Sequence, residues 1–122
     1  GKIDMSNDKF TIHYKQHRVT TDFAGAPCLL VYYDYSNNGS SASSAMVDVN
    51  LQAYQNGNLL EPAIPESDDE AIDQFMTEVQ PGQAVTVCQA FTLQDESDVT
   101  LQAGEAFSFG GGTVVSQVLK IK

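Results

Sequence analysis

Two neighbouring segments decide most of what this chain can fold into. Cys28-Leu29-Leu30-Val31-Tyr32-Tyr33-Asp34-Tyr35 is its most apolar run, and it stops at Ser36-Asn37-Asn38-Gly39-Ser40-Ser41. Ala45-Met46-Val47-Asp48-Val49-Asn50-Leu51-Gln52-Ala53-Tyr54 then alternates apolar and polar until Asn56-Gly57. Aliphatic and aromatic residues at a period of two make strands, not helices. The pair therefore predicts two strands joined by a polar loop, with an Asn-Gly hairpin turn after the second.

The flanking chain repeats the pattern. Lys9–Thr20 places Phe10, Ile12 and Tyr14 on one face of a strand. Gly25 and Pro27 break the chain before the central pair. Gln74–Gln80 reads as a short strand ending at Pro81-Gly82, a strong turn signal. Gln83–Leu93 and Val99–Ala103 follow as strands, and Phe107 and Phe109 suggest a short one before Gly110-Gly111-Gly112. Thr113–Ile121 is the last. Glu61–Asp73, with two prolines and six acids, is a long connection holding at most one helical turn from Ser67 or Asp68. Seven or more short strands without an amphipathic helix predict an all-β, antiparallel β-sandwich. Residues 1–8 read as a flexible lead-in, and 9–122 as a single domain.

Charge narrows the partners. The chain carries a formal net charge of −10, and all six of its basic residues lie near its ends: Lys2, Lys9, Lys15, Arg18, Lys120 and Lys122. Fourteen of its sixteen acids fall between Val19 and Leu119, where no Lys or Arg occurs. Such a surface repels phosphate backbones and anionic lipid, so no nucleic acid is expected as a partner. It suits a basic partner or divalent cations. No apolar stretch nears the roughly 20 residues of a membrane-spanning helix.

Candidate chemistry is sparse. Cys28 and Cys88 lie in different strands, each out of phase with the best apolar set of its strand (Leu29, Val31, Tyr33, Tyr35 and Val85, Val87, Phe91, Leu93). A bridge through the core is disfavoured, which leaves a bridge between neighbours on one sheet or two free thiols. His13 and His17 on one strand stand about 13 Å apart, too far to share a metal ion. Asp68, Asp69, Glu70 and Asp73 are the best candidates for a calcium site in a flexible acidic loop, although the calcium-loop spacing with its central Gly is missing. The serines of Gly39–Ser44 lack a nucleophile elbow, and Gly110-Gly111-Gly112-Thr113 lacks a phosphate-binding lysine. No enzyme is expected, and no cofactor beyond that calcium. Alternation turns Tyr32 outward, and with Asn37 and Asn38 of the following loop it makes the candidate binding surface.

Three stretches together carry a resemblance: Leu29–Asn38, Gln55-Asn56-Gly57-Asn58-Leu59-Leu60-Glu61, and Val79-Gln80-Pro81-Gly82-Gln83-Ala84-Val85-Thr86-Val87 followed by Phe91-Thr92-Leu93. In this order and spacing the chain resembles the uncharacterised immunoglobulin-like domains of small secreted lipoproteins from Gram-positive bacteria. The resemblance spans roughly Phe10 to Leu101. It implies an extracellular module on the outer face of the cell membrane, tethered by an N-terminal lipid on the precursor. It supplies no catalytic residues. The expectation is a non-catalytic binding or structural module that meets an unidentified protein or cell-envelope component, the alternative being a calcium-binding surface module built on the acidic 66–73 loop.

Overall fold

A computed structural model describes residues 1–107 and 112–122. The strands are β1 (Met5–Ser6), β2 (Phe10–Thr21), β3 (Pro27–Asn37), β4 (Val49–Gln55), β5 (Asn58–Leu59), β6 (Ala84–Thr92), β7 (Val99–Glu105) and β8 (Val114–Leu119). Two short helices interrupt them, α1 (Ala45–Asp48) and α2 (Glu70–Gln74). All pairings between strands are antiparallel, in two sheets of order β1-β2-β3-β6 and β5-β4-β7-β8. The inward faces of both sheets meet in one core, with Phe10, Leu29, Val31, Tyr33 and Val87 from the first and Val49, Leu51, Val99, Leu101 and Leu119 from the second. This is the all-β, antiparallel sandwich that the strand pattern predicts, of the immunoglobulin-like type that the resemblance implies.

Turn chemistry holds where it was expected. Asn56 and Gly57 both take positive φ, +52° and +80°, as a two-residue hairpin between β4 and β5 requires. Gly82 has φ +80°, and the Gln83 amide bonds the Gln80 carbonyl across Pro81-Gly82.

Three expectations are corrected. The opening residues are not a loose lead-in: Ile3 is fully buried, its amide donates to Gln117 Oε1, and Met5–Ser6 pair with β2. One apolar residue in a polar stretch is enough when it reaches the core. Ala45–Asp48 is helical, because Ser44 caps the Val47 amide before β4 begins at Val49. Gln74–Gln80 is not a strand. Asp69 caps α2, the turn continues as Met76 N bonds Asp73 O and Thr77 N bonds Gln74 O, and only Val79 makes an isolated bridge, with Ser43. The strand expected around Phe109 lies outside the described residues.

One irregularity reorganises the first sheet. Tyr14 faces Tyr33, but Gln16 faces Tyr32, so Lys15 is a bulge residue. A bulge shifts the alternation by one. Phe10, Ile12 and Tyr14 point inward before it. After it, His17 and Val19 take the inward phase and Arg18 the outward one.

Candidate functional site

The bulge brings Arg18 onto the outer face of the first sheet, opposite Leu30 and beside Tyr32. There Leu30, Tyr32 and Cys88 form a small second core, with Ala71 and Ile72 of α2 packed on it. A polar latch closes its edge. Arg18 Nε donates to the Tyr32 hydroxyl at 3.1 Å, Tyr32 donates to Asp69 Oδ2 at 2.5 Å, and Arg18 Nη2 stands 3.7 Å from the same oxygen. The other oxygen, Asp69 Oδ1, accepts the Ala71 amide at 2.9 Å and so caps α2.

The electrostatics follow from this geometry. The Tyr32 hydrogen bond, seconded by the Ala71 amide, holds the Asp69 carboxyl below its usual range. Burial, with Asp69 adding to it, pushes the Tyr32 phenol up to about 12. Burial and then the charge of Asp69 push the Cys88 thiol to about 12 as well. At neutral pH the phenol and thiol keep their protons and the carboxylate is ionised. Neither the phenol nor the thiol is an activated nucleophile; the triad fastens a helix to a sheet. Next to it, Lys15, Tyr32, Asp69, Gln74 and Thr86 line a groove of about 450 Å³. Its far wall is tied by Thr86 donating to Asp34 Oδ1 at 2.6 Å, with Lys15 Nζ 3.5 Å from that oxygen.

The residues expected to form a binding surface are placed differently. Tyr32 points outward as predicted, but α2 covers it and leaves it 6% exposed. Asn37 is buried. Its Nδ2 donates to the Ser41 and Val79 carbonyls, both at 2.9 Å, and its Oδ1 accepts the Gly39 amide, which makes it the clamp of its own loop. Asn38 is exposed, but its amide is turned to Asn7 O and Thr11 Oγ1. Of the four acids expected to hold calcium, Asp69 faces the sheet while Asp68, Glu70 and Asp73 are exposed. Among the described residues no three His, Cys, Asp or Glu side chains converge on one point. The cysteines are free thiols. Cys28 faces Thr92 and Cys88 faces Tyr32, so they sit four positions apart along adjacent strands, or about 13 Å. His17 bridges the sandwich edge: its Nδ1 accepts from the Tyr14 hydroxyl at 2.6 Å, and its Nε2 donates to the Lys120 carbonyl at 3.1 Å.

Among the described residues, no helix lies over the outer face of the second sheet. Its rows run across β4, β7 and β8 as Asn50–Gly104–Val114, Gln52–Gln102–Ser116 and Tyr54–Thr100–Val118, with Leu59 of β5 beside Tyr54. None of these residues is charged. In the sequence, alternating Gln, Asn, Thr and Ser reads as ordinary solvated strand. The available signal was the absence of Lys, Arg, Asp and Glu from the outward phase of three strands in so acidic a chain.

A family model for a domain of unknown function, DUF5067, matches residues 2–105. The chain belongs to the DUF5067 family. No curated protein matches this DUF5067 domain. Two solved structures share its fold. One, described as a "putative lipoprotein" (ycdA) of Bacillus subtilis, aligns with a TM-score of 0.71 at 15% identity over 98% of this chain and 39% of its own. The other, described as a "putative lipoprotein" of Staphylococcus aureus, aligns with a TM-score of 0.71 at 11% identity over 97% of this chain and 88% of its own. The DUF5067 domain thus spans well under half of the Bacillus chain. The family assigns no activity, so it brings no catalytic residues to either face.

Proposed function

We propose that this DUF5067 domain is an extracellular, non-catalytic recognition module of a Gram-positive cell envelope, carried on a lipid-anchored precursor. The observation that carries this reading is family membership over residues 2–105 together with a shared fold in two proteins each described as a "putative lipoprotein", of Bacillus and Staphylococcus. The side-chain chemistry supports it. The phenol of the latch and the buried Cys88 thiol beside it stay protonated, and the partners of Tyr32 hold structure together. A net charge of −10 favours a basic or uncharged partner over the phosphate-rich polymers of an envelope.

Immobilised domain challenged with cell-envelope extract tests the proposal. A component retained at physiological ionic strength supports recognition. Retention only at low salt means that the domain acts as an ion exchanger. Retention of nothing sinks the recognition role.

A further inference from the structure

We infer that the outer face of β4, β7 and β8, open among the described residues, is a docking platform for an uncharged glycan. The inference rests on the recognition reading and names the chemistry of the ligand. Three observations carry it.

The first is charge. Sixteen acids and six bases are distributed over this chain, yet the outward positions of these three strands carry none of them. Six of the nine carry amides or hydroxyls, Asn50, Gln52 and Gln102 with Tyr54, Thr100 and Ser116; the others are Gly104 and the exposed Val114 and Val118 at the β8 edge. The six are two-way hydrogen-bonding groups, donors and acceptors alike. They match a neutral polymer that presents hydroxyl and acetamido groups. A polyanion would dock against the field of the whole molecule.

The second is area. Three strands about 4.8 Å apart, whose outward rows span about five positions at about 3.3 Å each, present on the order of 300 Å² once side-chain width is included. A stable protein interface needs about 800 Å² per partner. A second copy would have to extend its contact beyond the neutral face, onto the surface of a molecule that also carries −10. A single narrow chain fits within the face.

The third is spacing. The row Gln52–Gln102–Ser116 crosses three strands, with Tyr54–Thr100–Val118 parallel to it. Its members recur at the inter-strand distance, close to the length of one sugar residue in an extended chain. A glycan laid across the strands would meet one side chain per sugar. Tyr54 supplies a half-buried ring, its hydroxyl donating to Gln52 Oε1 at 3.0 Å, and so ties the two rows together.

The test is amide-resolved NMR titration of the whole chain with chitohexaose and cellohexaose. Polyglycerol phosphate serves as the charged control, and sedimentation runs in parallel. The expected result is perturbation confined to β4, β7 and β8, including the side-chain amides of Gln52 and Gln102, with affinity insensitive to salt. Gln102→Glu should weaken binding at least about tenfold, and Gln102→Ala less. Both should melt like the parent, because the position is exposed. Shifts clustered in the groove under α2, binding of the polyanion alone, or a dimer in sedimentation that buries this face would each overturn the inference. So would silence with both glycans at millimolar concentration. If envelope capture persists in that last case, recognition stands and the glycan does not. If capture also fails, both fall.

Discussion

The two outer faces of this sandwich are built from the same kind of strand and end up as opposites. On the first sheet, Leu30, Tyr32 and Cys88 point away from the main core and are still buried, because α2 lies over them. On the second, Gln102, Ser116 and Val118 point away from the core and stay in solvent. The difference is written in what each face offers. An apolar outer row must be covered, and the covering helix must be fastened, here by Arg18, Tyr32 and Asp69. A face dominated by amides and hydroxyls, with apolar side chains only at its edges (Val114, Val118 and Leu59), stays in solvent without a cover. The covered face therefore contributes to stability, and the open one is left for contacts.

The largest expected effect separates these roles directly. Leu30→Ala should cost about 2–5 kcal/mol, since it opens a cavity beneath a packed helix. Val118→Ala, also on an outward position but 61% exposed, should stay within about 0.5 kcal/mol. Urea unfolding of the two variants measures the contrast, and equal costs would erase it.

Next in size is the latch. Asp69→Ala removes a helix cap and leaves the buried Tyr32 hydroxyl without its acceptor, a loss of about 2 kcal/mol. The pH dependence has a definite sign. The folded carboxyl titrates below its unfolded value, so its contribution is present above the unfolded pKa of about 3.9 and is lost as pH falls through the folded one. The stability gap between the parent and Asp69→Asn should therefore hold steady at neutral pH and shrink below about pH 4. A gap that widens on acidification would mean that Asp69 is not the ionised member of the latch.

A smaller, local effect concerns the thiol beneath the helix. Ile72→Ala thins the cover over Cys88 and should raise its labelling rate by a thiol reagent several-fold, through more frequent local opening. Cys28, which lies outside that small core, should keep its rate. If both thiols accelerate together, the helix is not a separate cover and the whole sandwich has loosened.

Much of this contrast was legible in the sequence, and the missing part has a physical cause. Period two in Leu29–Tyr35 and Val85–Leu93 sorts inward from outward residues correctly, and Asn56-Gly57 and Pro81-Gly82 place their turns. The bulge at Lys15 was invisible, because an inserted residue leaves no mark in composition and yet reverses the facing of everything after it. That single residue decides that Arg18 reaches Tyr32. The cover over Tyr32 was hidden for a related reason. Alternation tells which way a side chain points, not whether another segment returns to bury it. The helical turn near Ser67 or Asp68 was anticipated within two residues, but its docking site depends on contacts across 37 positions of chain. Ile3 gives no signal in the sequence because one apolar residue has no period.

The smallest expected effect concerns calcium, and its size makes it decisive. A calcium ion takes six to eight oxygens at roughly 2.3–2.6 Å. Both oxygens of Asp69 are already engaged, by Tyr32, Arg18 and the Ala71 amide, while Asp68, Glu70 and Asp73 stand exposed around the helix start. Melting in calcium and in chelator should agree within about 1 °C. A real site held at a hundred times its Kd would add about 2.7 kcal/mol, worth roughly 11 °C at some 4 °C per kcal/mol for a domain of this size. A shift of that order, abolished in Asp68→Asn with Asp73→Asn, would mean that the acidic loop gathers around the ion. Asp69 is left intact in that variant, so loss of the latch cannot imitate loss of the ion. The covered face would then be the one that recognises a ligand, and the contrast between the faces would reverse.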